Sequence, residues 1–127
     1  MLPLKFARCW AFVGWLGVAF AIFLSVLPAG SAPVPIGGRA QHLVGYFILT
    51  SWFTGICRRD RYPLIGVGCL LFGGAMELLQ TLSPTRHPAL DDALTNGVGI
   101  GVAIALAYAG AGGWALRVER ALGLRPR

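Results

Sequence analysis

The run from residue 9 to residue 27 has nineteen consecutive residues without a charge, and it limits what the chain can fold into. A helix needs about 20 apolar residues to cross the roughly 30 Å hydrocarbon core of a bilayer. The apolar part of a secretory signal peptide is shorter, about 7–15 residues. Lys5 and Arg8 precede the run and Gly30-Ser31-Ala32 follows it, as around a cleaved signal. Its length nevertheless favours a retained first transmembrane helix.

Composition indicates the same class of protein for the whole chain. The 127 residues are 56% hydrophobic and 13% charged, whereas a soluble domain has about 25% charged residues. The chain therefore has too few polar side chains to cover the surface of a soluble globule. We expect one integral membrane domain over residues 1–127, since this length suits a single domain.

Three further apolar segments predict three more membrane-spanning helices. A Pro- and Gly-rich loop precedes the first of them, a charged loop over residues 58–61 precedes the second, and a polar segment precedes the third. The last segment is rich in Gly and Ala, and its Gly97-x-x-x-Gly101 spacing predicts close approach of a neighbouring helix. The sequence therefore predicts an all-α polytopic membrane protein, a four-transmembrane-helix bundle with helices at about 9–27, 40–57, 62–82 and 90–116.

The segment after the fourth helix, residues 117–127, alternates basic and apolar residues and has two interpretations. It could form a short amphipathic helix in the membrane interface behind a tryptophan, or it could be a solvated, frayed end. The tryptophans themselves are interpreted as interfacial or packing aromatics and not as parts of a site. They are Trp10, Trp15, Trp52 and Trp114.

The basic residues predict the orientation of the bundle. Of the eleven Lys and Arg residues, two precede the first helix, three lie between helices two and three, and four follow the fourth helix. Arg39 and Arg86 fall on the opposite side. Lys and Arg accumulate on the cytoplasmic side of membrane proteins, so both termini are predicted to be cytoplasmic. The net charge of +6 does not indicate nucleic acid, because no basic stripe is interleaved with stacking aromatics.

Polar residues interrupt the apolar pattern at the predicted outer ends of helices two, three and four. Within each helix they are three or four residues apart, so each pair shares one face. Ionisable groups in membrane helices are costly and usually face a cavity or a partner. The sequence therefore predicts one pocket near the outer leaflet, formed by His42, Tyr46, Glu77, Gln80, Asp92 and Asn96, with Arg39 and Arg86 beside it.

The acidic residues also have structural explanations. Asp91 is interpreted as a charge that stabilises the dipole at the start of helix four, whereas Asp92 is assigned to the pocket. Glu77 lies inside an apolar helix, and its alternative role is a salt bridge to Arg39 or Arg86 that ties the loops together.

Metal and nucleophile signatures are missing from the sequence. There is no HExxH motif and no paired histidine, so we expect His42, Glu77 and Asp92 to form no metal site, and we expect no cofactor. Cys9, Cys57 and Cys69 have no CxxC spacing and are odd in number, which argues against a disulfide framework. We interpret them as small apolar helix residues.

The polar residues also follow a spacing that resembles the VanZ-like family of small bacterial membrane proteins. That pattern has a basic residue, a histidine three positions on and a tyrosine four further. E-x-x-Q follows at the end of helix three, then an arginine, an aspartate and an asparagine before a glycine-rich helix. The resemblance covers roughly residues 38–106, although the family often has Asp-Lys where this chain has Gly38-Arg39. The matching residues are Arg39, His42, Tyr46, Glu77, Gln80, Arg86, Asp92, Asn96 and Gly99.

The resemblance implies a multi-pass protein of the bacterial plasma membrane that belongs to the cell envelope and affects susceptibility to glycopeptides such as teicoplanin. It does not imply a reaction. The first functional expectation is binding of a polar or anionic head group, from a lipid-linked wall precursor or a phospholipid. Arg39 and Arg86 would hold the anion, since arginine suits phosphate geometry.

The alternative expectation is an intramembrane enzyme that acts on the same lipids. Glu77 or His42 would be the general base and Asp92 would orient it. Transport of protons or small solutes is less favoured, because the ionisable groups gather at one face of the membrane. The expected partners are membrane lipids and not nucleic acid, and a second copy could pack through the glycine-rich helix four.

Overall fold

The computed structural model describes residues 1–26, 38–81 and 90–124, and within these ranges every regular element is helical. The predicted all-α class is therefore confirmed. The helices are α1 (Ala7–Val26), α2 (Gly38–Ile56), α3 (Tyr62–Gln80), α4 (Leu90–Leu106) and α5 (Trp114–Ala121), with a 3₁₀ turn at Arg59–Arg61 and a π-helical turn at Ala107–Ala111.

Three stretches of the described chain are long and apolar enough to cross a membrane: Ala7–Val26, Arg59–Gln80 and Asp91–Ala111. In α1 the one buried residue is Gly14, so this helix exposes apolar side chains on nearly every side. A helix that is hydrophobic all round suits a membrane span. The computed structure is thus compatible with a membrane protein.

Helix α2 is not among these three stretches, although its 19 residues extend about 28 Å. Its first turns carry Arg39, Gln41 and His42, which lower its hydropathy. Its position in the bundle accounts for this polarity. It contacts α1, α3, α4 and α5, and its most extensive contact is with α4. The most polar of the long helices is therefore the central one.

The contact between α2 and α4 depends on Gly99. A Cβ at this position would collide with the carbonyl oxygen of Leu43 and would lie 3.2 Å from the backbone nitrogen of Phe47. The Gly97-x-x-x-Gly101 spacing makes no close contact within this chain, because Gly97 has its nearest such neighbour at 4.0 Å and Gly101 has none within 4 Å. Two residues rotate a helix by about 200°, so these two glycines face away from α2.

The fourth helix is shorter than the predicted 90–116. It ends at Leu106, and a π-helical turn continues it to Ala111. Gly110 and Gly113 then adopt φ angles of 115° and 68°, which glycine tolerates because it lacks a Cβ. The chain turns there, so residues 114–116 begin α5. The other three helices differ from their predicted bounds by one or two residues, as helix ends commonly do.

Helix α5 is a folded part of the bundle. Its Ala115 packs with Leu4 and Ile56 in one buried cluster, and the indole nitrogen of Trp114 donates to the Ser51 carbonyl at 3.0 Å. The frayed-end interpretation is therefore wrong for this helix, since Ala115 and Glu119 anchor one of its faces in the bundle. Residues 125–127 lie outside the described chain.

A buried glutamate joins the two ends of the sequence. Glu119 is 1% exposed, and its carboxylate accepts hydrogen bonds from the backbone N–H groups of Lys5 (2.7 Å) and Phe6 (3.0 Å) and from the indole of Trp10 (2.9 Å). It therefore satisfies N–H groups just before α1 begins. Burial alone would raise the pKa of this carboxyl, but these hydrogen bonds and the Lys5 charge lower it below its ordinary value.

The bundle has one basic end. Hydrogen bonds from Leu2 to Ile56 (2.9 Å) and from Gly113 to Thr54 (3.0 Å) gather the start of α1, the end of α2 and the start of α5 there. Among the described residues, Arg39 is the one basic group at the opposite end, where α2 and α4 begin. The basic end carries Lys5, Arg8, Arg58, Arg59, Arg61, Arg117 and Arg120.

Candidate functional site

The end of the bundle opposite the basic end brings together polar side chains from three helices. His42 is in the second turn of α2, and its Nδ1 lies 3.0 Å from Oδ1 of Asn96 on α4. Its Nε2 lies 3.9 Å from Oδ2 of Asp92, also on α4. The side chains of His42 and Asp92 are 17% and 24% exposed, so solvent reaches the pair only partly.

The roles of His42 and Asn96 in this contact depend on the tautomer of the His42 ring. An amide oxygen can only accept a hydrogen bond, so Nδ1 of His42 is the donor in this arrangement. In a neutral imidazole the other nitrogen then carries the lone pair. In that tautomer Nε2, which faces Asp92, has a lone pair that can bind a cation.

Glu77 on α3 completes the inner part of the site. Both of its carboxylate oxygens are shielded from solvent. One ligand atom from each of His42, Glu77 and Asp92 lies within 4.8 Å of the others. Two carboxylates and one imidazole thus converge from three separate helices.

Tyr46 and Gln80 line the deeper and outer parts of the same region. They are 8% and 5% exposed, respectively. Gly73 on α3 permits this packing, because a Cβ there would lie 3.3 Å from Nδ2 of Asn96 and 3.4 Å from the Tyr46 ring. A small residue at this point lets α3 lie against both side chains.

Arg39 lies outside this inner group. Its guanidinium pairs with Asp91 at 2.7 Å, and the two side chains are 72% and 59% exposed. The sequence offered a salt bridge to Arg39 as the alternative role of Glu77. In the described residues Arg39 pairs with Asp91 instead. Asp91 is in the first turn of α4, as its interpretation as a helix-dipole charge requires. Arg86 lies outside the described residues.

A cleft opens beside the inner group, between α1, α2 and α3. Its volume is about 100 Å³. It has polar walls from Ser25, Gln41, His42, Tyr46 and Gln80, and its remaining walls are Ala21, Leu24, Gly45 and Leu49.

A second, apolar groove of about 450 Å³ lies farther along the same three helices. Leu49 lines both cavities, so the polar cleft and the apolar groove are neighbours along one seam. The groove is otherwise lined by Trp15, Val18, Phe53, Leu64, Ile65, Gly68, Cys69 and Phe72.

The six residues predicted to form the pocket are brought together, and Arg39, predicted beside it, pairs with Asp91 outside this group. The sequence reasoning missed Ser25 and Gly45 of the cleft, and it did not assign Gln41 to the site although Gln41 precedes His42 in the same polar turn. Ser25 is one polar residue in an apolar run, and nothing in its spacing distinguishes it from a packing residue. Gly45 can be identified as part of the cleft only from the structure, where its missing side chain leaves open space.

Family models, curated proteins and solved structures gave no match to this chain. The resemblance to the VanZ-like family therefore remains a prediction from the residue pattern.

Proposed function

We propose that this chain is a four-span, VanZ-like protein of the bacterial plasma membrane that binds a lipid by its polar or anionic head group. The observation that carries the proposal is the seam of two cavities that meet at Leu49. A polar cleft beside an apolar groove matches an amphiphile, with its head group in the cleft and an acyl chain in the groove. Ligand pockets of this kind combine apolar walls with a few polar groups that fix orientation.

The distribution of basic residues supports an outward-facing cleft. The end with seven of the described Lys and Arg residues would be cytoplasmic by the positive-inside rule, with both termini on that side. The cleft and the His42 group would then lie at the outer leaflet. An outer-leaflet phospholipid or lipid-linked wall precursor would reach the seam sideways from the membrane, between α1 and α3.

Hydrogen-bonding groups in the cleft suit a head group. The Ser25 hydroxyl and the Gln41 and Gln80 amides can each donate and accept. Arg39, which pairs with Asp91 outside the inner group, is exposed, and its guanidinium is suited to a phosphate oxygen. An effect on teicoplanin susceptibility would follow if the bound lipid is the precursor that glycopeptides recognise.

Two glycine substitutions test whether one amphiphile occupies both cavities. Gly45 lines the cleft and Gly68 lines the groove, and a Cβ at either position meets nothing within 4 Å. Gly45→Leu and Gly68→Leu should therefore each fill a cavity without disturbing the helices. The matched control is Gly101→Leu, since Gly101 is equally open and lines neither cavity.

Native mass spectrometry of protein released gently from its membrane measures the lipid that stays bound. We expect both cavity-filling variants to lose the same lipid, by about tenfold or more, and Gly101→Leu to retain it. If only one of the variants Gly45→Leu and Gly68→Leu loses the lipid, then no single ligand occupies both cavities. Equal retention in all three would refute lipid binding at this site.

An enzyme acting on the same lipids is the second candidate function, and the His42 geometry favours it over transport. Its Nε2 has an available lone pair beside two carboxylates, as a general base requires. The side chain that orients the ring by a short contact is Asn96 (3.0 Å), where the sequence had suggested Asp92 (3.9 Å). Glu77→Gln distinguishes the functions: an enzyme would keep the lipid and lose its turnover, whereas a binding protein shows no turnover in either form.

A further inference from the structure

The inner group of the site has the composition of a metal centre. We propose that His42, Glu77 and Asp92 bind one divalent transition-metal ion, for which Zn²⁺ is the best match. This inference goes beyond lipid binding and does not depend on it.

The first support is the geometry. One ligand atom from each residue lies within 4.8 Å of the others. In a tetrahedral zinc site with metal–ligand distances of about 2.1 Å, the ligand atoms are about 3.4 Å apart. The largest adjustment is thus about 1.4 Å, shared between two side chains. Side-chain rotation alone can supply a movement of this size.

The second support is the state of the histidine. Zinc-bound histidines almost always donate their other ring N–H to an oxygen, which fixes the tautomer and the ring orientation. Asn96 Oδ1 lies 3.0 Å from Nδ1 of His42 and can accept its N–H, which leaves Nε2, the nitrogen that faces Asp92, as the ligand atom. This contact is independent of the positions of the carboxylates, and it orients the ring as metal binding requires.

The third support is the charge. The carboxylates of Glu77 and Asp92 lie close together, and the oxygens of Glu77 are shielded from solvent. Two like charges in a poorly hydrated site disfavour each other. A divalent cation neutralises both.

The donor set indicates the metal. One imidazole nitrogen with two carboxylate oxygens suits Zn²⁺ better than the all-oxygen sites of Mg²⁺ and Ca²⁺. Three protein ligands leave one coordination position open, which is the arrangement of zinc sites that hold water or substrate. If the proposed lipid binding is correct, a phosphate oxygen of the head group can occupy that position.

Titration of the purified, detergent-solubilised chain with Co²⁺ tests the site directly. Co²⁺ takes the same ligands as Zn²⁺, and its visible absorption reports nitrogen and oxygen coordination. An additional sulfur-to-metal charge-transfer band would instead indicate one of the three cysteines. We expect one Co²⁺ per chain, no sulfur band, and displacement by Zn²⁺.

Variants assign the ligands. Glu77→Gln and Asp92→Asn should each weaken Co²⁺ binding by more than tenfold. Asn96→Ala should weaken it by about 10–100-fold through the orientation of His42. The controls are Asp91→Asn, which removes the neighbouring exposed carboxylate, and His87→Gln, which removes the other histidine. Both should bind as the wild type does.

Wild-type protein that shows no Co²⁺ absorption at saturating metal would overturn the inference without any variant. Binding that survives both Glu77→Gln and Asp92→Asn, or that shows the sulfur band, would overturn it as well. The carboxylates would then share a proton, or the metal would lie elsewhere. Because the titration uses no lipid, its failure leaves the lipid experiment unaffected, and failure of lipid binding does not affect this one.

Discussion

Gly99→Ala should disrupt the site although Gly99 touches no part of it. The added Cβ would collide with the Leu43 carbonyl oxygen and would lie 3.2 Å from the Phe47 nitrogen. Backbone atoms cannot rotate away, so α4 must move outward from α2. Leu43 follows His42 in the chain, and Asn96 lies one turn before Gly99 on α4. The displacement therefore acts directly on the contact between His42 and Asn96.

A small displacement is enough to break the contact between His42 and Asn96. Its length is 3.0 Å, and an N–H···O hydrogen bond is lost beyond about 3.5 Å. A displacement of about half an ångström is therefore sufficient. Overpacking of this kind costs about 1–3 kcal/mol, which is offset by about 1 kcal/mol from the higher helix propensity of alanine. We expect Gly99→Ala to lose up to about 2 kcal/mol of stability.

Gly101→Ala is the matched control on the same helix, because a Cβ there meets nothing within 4 Å. It should gain up to about 1 kcal/mol from helix propensity alone. The two variants should thus differ by about 1–3 kcal/mol in free energy of unfolding, measured by titration with a denaturing detergent.

Nitrogen NMR of the histidine ring reports the site itself. The chain has two histidines, so a His87→Gln background leaves His42 as the single signal. The bond to Asn96 predicts a proton on Nδ1, and this preference should persist in Gly101→Ala and disappear in Gly99→Ala. Equal stability and equal tautomer preference in the two variants would refute the close approach of α2 and α4 at Gly99.

Two further predictions concern the basic end and the orientation of the bundle. Glu119→Gln should lower the melting temperature at neutral pH, because it removes the charge that three donors share. Since the folded-state pKa of this carboxyl lies below its ordinary 4.5, its contribution is complete above pH 4.5 and is lost as the pH falls through the lower folded-state value. The difference in melting temperature between wild type and Glu119→Gln, measured by thermal unfolding, should therefore shrink as the pH is lowered. A difference that grows on acidification would contradict this. A periplasm-active enzyme fused at Pro33 should be active and one fused at Leu124 inactive, and the reverse pattern would contradict cytoplasmic termini.

Much of the architecture is predictable from local pattern. Apolar run length identified the bounds of α1, α2 and α3 to within two residues, because the ends of the apolar runs coincide with the ends of these helices. The convergence of His42, Glu77 and Asp92 was also predictable. Alternating helix directions bring the start of α2, the end of α3 and the start of α4 to one side, and three- or four-residue spacing fixes the face.

The end of α4 could not be predicted from hydropathy, since residues 107–116 remain apolar where the helix stops. The end of α4 is set there by backbone conformation, because Gly110 and Gly113 adopt positive φ angles. The helix contact at Gly99 was missed for a related reason. Several glycines on α4 are compatible with close packing, and the face that meets α2 depends on the rotation of α4 in the bundle.

Glu119 was missed because its partners are more than 100 residues away in sequence. It accepts from Lys5 across a separation of 114 residues, and no local spacing encodes such a contact. The proposed metal site departs from the sequence-based expectation of none, because that expectation relied on motif spacing. Each ligand is on a different helix, so the spacing rules for zinc motifs within one segment do not apply.

The most direct test of the central claim is to identify the lipid at the cleft in intact membranes. A photoreactive amino acid at Ser25, which lines the cleft, captures whatever occupies it. The same group at Leu71, which is 71% exposed and lines neither cavity, samples the bulk membrane. We predict that one phosphate-bearing lipid class dominates the adducts at position 25, whereas the adducts at position 71 follow the membrane's average composition. Identical lipid composition at the two positions would contradict a specific head-group site.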